Sequence, residues 1–93
     1  MSVSETIRNK LIQSLQPERV EVIDESHLHA GHAGAREGGE SHFRVFIVSA
    51  KFEGASRVTR QRMVNAALRK ELAGPVHALA MKTLTPVEAE QED

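Results

Sequence analysis

Four of the five histidines in this chain, His27, His29, His32 and His42, crowd one glycine-rich stretch, and the fifth, His77, stands alone in an apolar run. Imidazole is the commonest protein metal ligand and the only side chain whose unperturbed pKa lies near neutrality. The chain has no cysteine, so it can fill a metal's coordination sphere only in part, or with help from a partner. The spacing His27-x-His29-x-x-His32 could hold zinc or copper by itself, but ordering a flexible loop is costly and such affinity would be adventitious. His42 begins an apolar alternation, a setting that favours packing or a hydrogen bond over ligation. On its residues alone, His77 reads first as a half-buried histidine at a strand start, hydrogen-bonded to a carbonyl. Asp24 and Glu25 could orient an imidazole, or simply turn the chain at a strand end.

Composition narrows the function classes. Ninety-three residues make one domain with a modest two-layer core, burying roughly 60–65% of the unfolded surface. The formal net charge of −1 supplies no global field for nucleic acid. Absence of thiols fits a reducing compartment, no apolar run approaches the ~18 residues of a membrane span, and Met1-Ser2-Val3-Ser4-Glu5 lacks the features of a secretory leader. Cytoplasm is the expected location. No cysteine nucleophile, serine elbow or phosphate-cradling loop is present, so an enzyme is not expected.

The elements that must position the histidines follow from periodicity. Ser2-Val3-Ser4-Glu5 fits a capping box, and Ile7, Leu11 and Leu15 recur as one helical stripe that Pro17 ends. Val20, Val22 and Ile23 predict a strand over 18–24. Residues 25–41 read as a long mobile loop carrying Gly31, Gly34, Gly38 and Gly39; a loop of that length in a compact domain is functional or a misassignment, and the histidines favour function. The clearest strand is 42–50, with Phe43, Val45 and Ile47 on one face and Phe46 and Val48 on the other, which predicts cover on both sides. Glu53-Gly54 turns the chain, and Ser56 caps a helix from Arg57 to about Leu72, with Val64, Leu68 and Leu72 inward. Gly74 and Pro75 stop it. A third strand is predicted over 76–84, then a short helix with Pro86 at its first position. The acidic tail Glu88–Asp93 is expected to fray.

Strand, helix, strand in one sheet is a right-handed crossover, which makes the second and third strands parallel. Their starts then lie at the same end of the sheet, where the glycine-rich loop also empties. Topology alone thus brings His77 near His27, His29, His32 and His42.

Asp24-Glu25-Ser26, His29-Ala30, Ser41-His42-Phe43-Arg44-Val45 and Phe52-Glu53-Gly54 resemble the BolA family. So do Arg60-Gln61-Arg62, Val64-Asn65, Leu68, Glu71-Leu72, Val76-His77-Ala78-Leu79-Ala80 and Thr85-Pro86. The resemblance covers about residues 4–88 of a single domain. It implies an α+β fold, α-β-β-α-β, with a three-stranded mixed sheet and helices packed on one face, similar to the type II KH fold, plus the short C-terminal helix. It also implies an adaptor, monomeric when isolated and with no membrane association. Such an adaptor binds a monothiol glutaredoxin as a heterodimer and shares a [2Fe–2S] cluster, completed by glutathione, in iron handling and iron–sulfur maturation. In that picture His77 is a ligand, and the second comes from the loop after the first strand. That position is histidine in one branch of the family and cysteine in another; this thiol-free chain fits the histidine branch. His29 is the aligned position and His32 its strongest rival, with His27 also nearby. Two imidazoles can replace two thiolates on one iron, as in Rieske centres, and raise the potential. Ligation by imidazole also makes a cluster labile toward acid, as the ligand approaches its own pKa of about 6.5.

Some bacterial members of the family are described as DNA-binding transcriptional regulators, and here the predicted second helix carries Arg57, Arg60, Arg62, Arg69 and Lys70. That cluster could bind DNA weakly and salt-dependently, or form the solvated face of an amphipathic helix. Gly31-His32-Ala33-Gly34 matches the KH loop pattern but lies between strands, whereas the KH loop joins helices. With Phe 3 and no Trp or Tyr, stacking platforms for single-stranded RNA are nearly absent. Two departures from the family stand out. Arg60-Gln61-Arg62 replaces its usual Arg-His-Arg, and the tryptophan expected soon after Thr-Pro is missing.

Overall fold

The computed structural model of the protein describes residues 2–25 and 42–91. The predicted loop, with His27, His29 and His32, lies outside the described residues. Helix α1 (Val3–Leu15) starts at the predicted capping box: Ser2 Oγ accepts from the Glu5 N–H at 3.1 Å, and Glu5 Oε2 accepts from the Ser2 N–H at 3.2 Å. It ends at Gln16, held in the left-handed region at φ 45°, with Pro17 beyond. Strand β1 (Arg19–Asp24) pairs antiparallel with β2 (His42–Val48), and β2 pairs parallel with β3 (Ala78–Leu84), giving the order β1-β2-β3. The mixed α+β sheet and the parallel crossover expected from the sequence are both present.

The register sorts side chains between two faces, because alternate strand residues point opposite ways. Val20, Val22, Phe43, Val45, Ile47, Leu79 and Met81 face Ile7, Leu11 and Leu15 of α1 and Val64 and Leu68 of the crossover, forming one core. The second face carries Ile23, Arg44, Phe46, Ala80 and Lys82. Its predicted cover is partial: Val48 is buried, beside Pro86 and Ala89, while Phe46 is half-buried under the Arg19 guanidinium, 5.3 Å from the ring centroid. At the end of β2, buried Ser49 donates its hydroxyl to the Leu15 carbonyl at 2.7 Å and accepts from the Lys51 N–H, tying the last turn of α1 to the sheet. A single 3-10 turn (Ala50–Phe52) follows, and Gly54 adopts φ 76°, which a side chain would strain.

The crossover departs from one continuous helix. α2 (Arg57–Ala67), capped by Ser56, is interrupted at Leu68 (φ −109°, ψ 22°), and α3 (Arg69–Ala73) follows directly. Leu68 stays buried at the interruption while Glu71, 8% exposed, accepts from Lys10 Nζ of α1 at 2.7 Å. The Glu71 carbonyl accepts from the N–H groups of Gly74 (3.2 Å) and Val76 (2.9 Å). Val76 thereby spends its donor on the helix end, and β3 begins two residues later than the periodicity predicts.

As far as Gln91 the C-terminal segment is helical, which corrects the expectation of fraying there; Glu92 and Asp93 lie outside the described residues. Helix α4 (Pro86–Gln91) includes Glu88, which accepts from the Thr85 N–H at 2.9 Å, while Thr85 Oγ1 accepts from the Glu88 N–H at 3.2 Å. Arg60 reaches the same carboxylate through Nη1 (2.7 Å) and Nη2 (3.2 Å). It also donates to the carbonyls of Ala55 (3.0 Å) and Thr83 (3.1 Å) and lies 5.8 Å from the Phe52 ring centroid. One guanidinium therefore joins the start of α2, the end of β3 and α4.

Two predictions follow from these clasps. Lys10→Met leaves a buried carboxylate without its cation and is expected to destabilise the fold by about 1–3 kcal/mol, read by urea unfolding; a loss below that range would mean the Glu71 contact is solvated. Glu88, held chiefly by the Arg60 hydrogen bonds and then by the Thr85 N–H, has its pKa lowered from 4.5 to about 2. A carboxylate depressed on folding stabilises above its unfolded pKa and loses that contribution as pH falls through its folded pKa. Wild type should therefore exceed Glu88→Gln in stability at neutral pH and converge with it between about pH 4.5 and pH 2. A constant gap across that window would show that the charge is irrelevant.

Candidate metal centre

Parallel pairing places His42 opposite Ala78, so the residue just before β3 sits beside the first residue of β2. The His42 and His77 rings are stacked, with centroids 6.2 Å apart and planes inclined by 20°. His77 is exposed and His42 half-buried. The reading of His77 as a half-buried strand-start residue is thus replaced by an exposed ring on the rim. His42, read in the sequence as a packing or hydrogen-bonding residue, is half-buried and in ring contact with His77, and the two meet where the parallel topology predicted. The signal was available: both histidines stand at the starts of parallel neighbouring strands.

Backbone hydrogen bonds fix the chain on both sides of this rim. The Glu25 N–H donates to the His42 carbonyl at 2.8 Å, extending the β1–β2 ladder by one residue. Upstream of His77, the Glu71 carbonyl fixes the turn over Gly74–Val76. Arg44 Nε lies 3.1 Å from Glu25 Oε2, so the nearest cation on this rim is matched by a carboxylate. An open groove of about 310 Å³ runs past Glu25, His42, Arg44, Ala78 and Ala80. Among the described residues no group of three or more histidines, cysteines, aspartates or glutamates is placed to hold a metal. The donors present are imidazole nitrogens on an accessible edge, which suit part of a coordination sphere. His29 and His32 belong to the segment outside the described residues.

Two of the crossover's arginines stand apart from any shared basic surface. Arg60, its side chain only 12% exposed, directs its guanidinium into the protein, and this structural role removes it from the set offered to nucleic acid. Arg57, Arg62 and Arg69 are exposed; Arg57 lies about 140° from Arg62 around a 3.6-residue helix, whereas Arg69, seven residues on, falls within about 20° of Arg62. A larger groove of about 700 Å³, lined by Arg57, Gln61, Lys82, Glu88 and Gln91 among others, lies by the Arg60 clasp, away from the histidine rim. No helix among the described residues is long and apolar enough to cross a membrane.

Comparison with known proteins adds to this geometry. The family model described as BolA-like protein matches residues 11–88. BolA-like protein 1 of Bos taurus is 52% identical over 86 residues, covering 92% of this chain and 61% of its own length, so the chain spans about three-fifths of that relative. The DNA-binding transcriptional regulator BolA of Vibrio cholerae is 43% identical over 89 residues, covering 96% of this chain and 80% of the regulator. The solved BolA domain of SufE1 from Arabidopsis thaliana superposes with a TM-score of 0.85 at 42% identity, covering 95% of this chain and 96% of that one. With the α-β-β-α-β order, the mixed sheet and the histidine that precedes its third strand, these matches show that the chain belongs to the BolA-like family.

Proposed function

We propose that this chain is a non-enzymatic cytoplasmic adaptor that binds a monothiol glutaredoxin and co-ligates a labile [2Fe–2S] cluster for iron–sulfur maturation or iron regulation. The observation that carries the reading is His77, exposed on the sheet rim with a second imidazole 6.2 Å away. When bound, the cluster supplies an iron pair whose potential rises as imidazoles replace thiolates. The chain's own residues bind and orient. Glu71 holds the turn that delivers His77, the β2–β3 ladder fixes where that turn ends, and Ala78 and Ala80 leave room for a docking protein. A glutaredoxin cysteine and glutathione supply the sulfur that this chain lacks. His29 is the assigned second ligand and His32 the alternative.

A second reading, a DNA-binding regulator, draws support from the Vibrio cholerae relative's name and from the exposed Arg57, Arg62 and Arg69. Arg62 and Arg69 share a face but are only two cations on a chain of net charge −1, which favours weak binding governed by salt rather than base readout.

Reconstituting a cluster on a glutaredoxin in the presence of this chain is expected to give visible absorption and circular dichroism distinct from those of the glutaredoxin alone. His77→Ala should remove the difference, and a wild-type spectrum from that variant would overturn the ligand assignment. Single alanine substitutions at His29, His32 and His27 should rank the loop donors. For DNA, Arg62→Glu with Arg69→Glu should weaken low-salt binding in a gel-shift titration; unchanged binding would exclude the crossover helices as the contact.

A further inference from the structure

We propose that His42 and His77 form a two-imidazole site for a single divalent transition-metal ion, of the zinc or copper class, which this chain binds without a partner. The proposal shares His77 with the cluster reading but needs neither glutaredoxin nor sulfur. Its basis is the placement of the two rings.

With a metal–nitrogen bond of about 2.0–2.1 Å, two imidazoles on one ion put their centroids roughly 5–6.5 Å apart, depending on the angle at the metal. The observed 6.2 Å lies near the wide-angle end of that span, where the two nitrogens are almost trans, and a tetrahedral ion would draw the rings closer by about 1 Å. The rings come from neighbouring strand starts, His42 in β2 and His77 one residue before β3, and the parallel ladder fixes their bases. Two backbone hydrogen bonds fix the chain beside each ring: the Glu25 N–H on the His42 carbonyl and, one residue before His77, the Val76 N–H on the Glu71 carbonyl. On the same rim, Arg44 is paired with Glu25, which offsets the repulsion an arriving cation would meet. The small side chains of Ala78 and Ala80 keep the adjoining groove open.

Two nitrogens leave coordination positions for water, as in sites that exchange their ligands. The bound ion should therefore be replaceable, and it would occupy the imidazole that the cluster arrangement requires. Simple ring stacking, which spans about 4.5–7 Å between centroids, accounts for the same separation without a metal. Experiment separates the two.

The full chain carrying His27→Ala, His29→Ala and His32→Ala removes the rival loop donors. Titrated with Cu2+ alone, it should bind one ion per chain with hyperfine structure from two nitrogens in electron paramagnetic resonance. Adding His42→Gln or His77→Gln should weaken Zn2+ binding by roughly tenfold or more and reduce the copper pattern to one nitrogen. Circular dichroism checks that each variant folds. Should His42→Gln not fold, Zn2+ added to the triple variant must move the imidazole resonances of both His42 and His77. Absence of an ion in the triple variant, unchanged affinity in a folded His42→Gln, or movement of His77 alone would overturn the site and leave only stacking. Because glutaredoxin takes no part here, this result and the cluster spectrum can fail independently.

Discussion

The parallel hydrogen-bonded ladder between β2 and β3 is the constraint on which the molecule's chemistry depends. Parallel neighbours must be joined by a crossover, here the broken helix α2–α3, and the ladder forces two residues 35 positions apart in the chain onto one rim. Had the strands paired antiparallel, the start of β3 would lie at the other end of the sheet, by the Arg60 clasp, far from His42. The core of Phe43, Val45 and Ile47 against α1 and α2 sets the register, because slipping it by one residue would turn those side chains outward. Packing energy and histidine placement are therefore the same choice of register.

Polar contacts finish what packing begins, and they do so where elements end. Ser49 answers the last carbonyl of α1, and Thr85 with Glu88 answers the first N–H groups of α4. Arg60 satisfies two carbonyls and a carboxylate in one stroke, a task suited to a planar fork of donors and not to a lysine ammonium. These are the groups that a helix or strand terminus otherwise leaves unpaired. Such contacts cluster at the far end of the sheet, so the histidine rim is shaped more by backbone than by side-chain clamps.

Much of this was legible in the chain. The capping box, the 3.6-residue stripe of α1, the alternation in β2 and the strand–helix–strand order all express local rules that tertiary structure leaves intact. The convergence of His42 and His77 followed from handedness alone. The failures share a cause, which is contact between distant residues. Arg60 looked like part of a solvated basic face, yet it stands four residues before Val64 and eight before Leu68, on the buried stripe; only its partner Glu88, 28 positions on, makes that location tolerable. Glu88 itself looked like part of a charged tail, although Thr85-x-x-Glu88 is a capping pattern. The interruption at Leu68 was invisible because a buried leucine continues the helical period although its own φ and ψ leave the helical region. β3 was read two residues long because Val76 has strand character but gives its donor to Glu71.

Fixing the turn ahead of residue 77 has a thermodynamic consequence for any association. A ligand-bearing segment that is already ordered spends little conformational entropy when something docks on it, so more of the interaction free energy appears as affinity. The carbonyl of residue 71 holds that segment by two short backbone bonds, and the carboxylate of the same residue ties it to the first helix. Loosening either tether would leave the imidazole in place on average while spreading its orientations, and the loss would be felt as slower capture and faster release rather than as a missing contact.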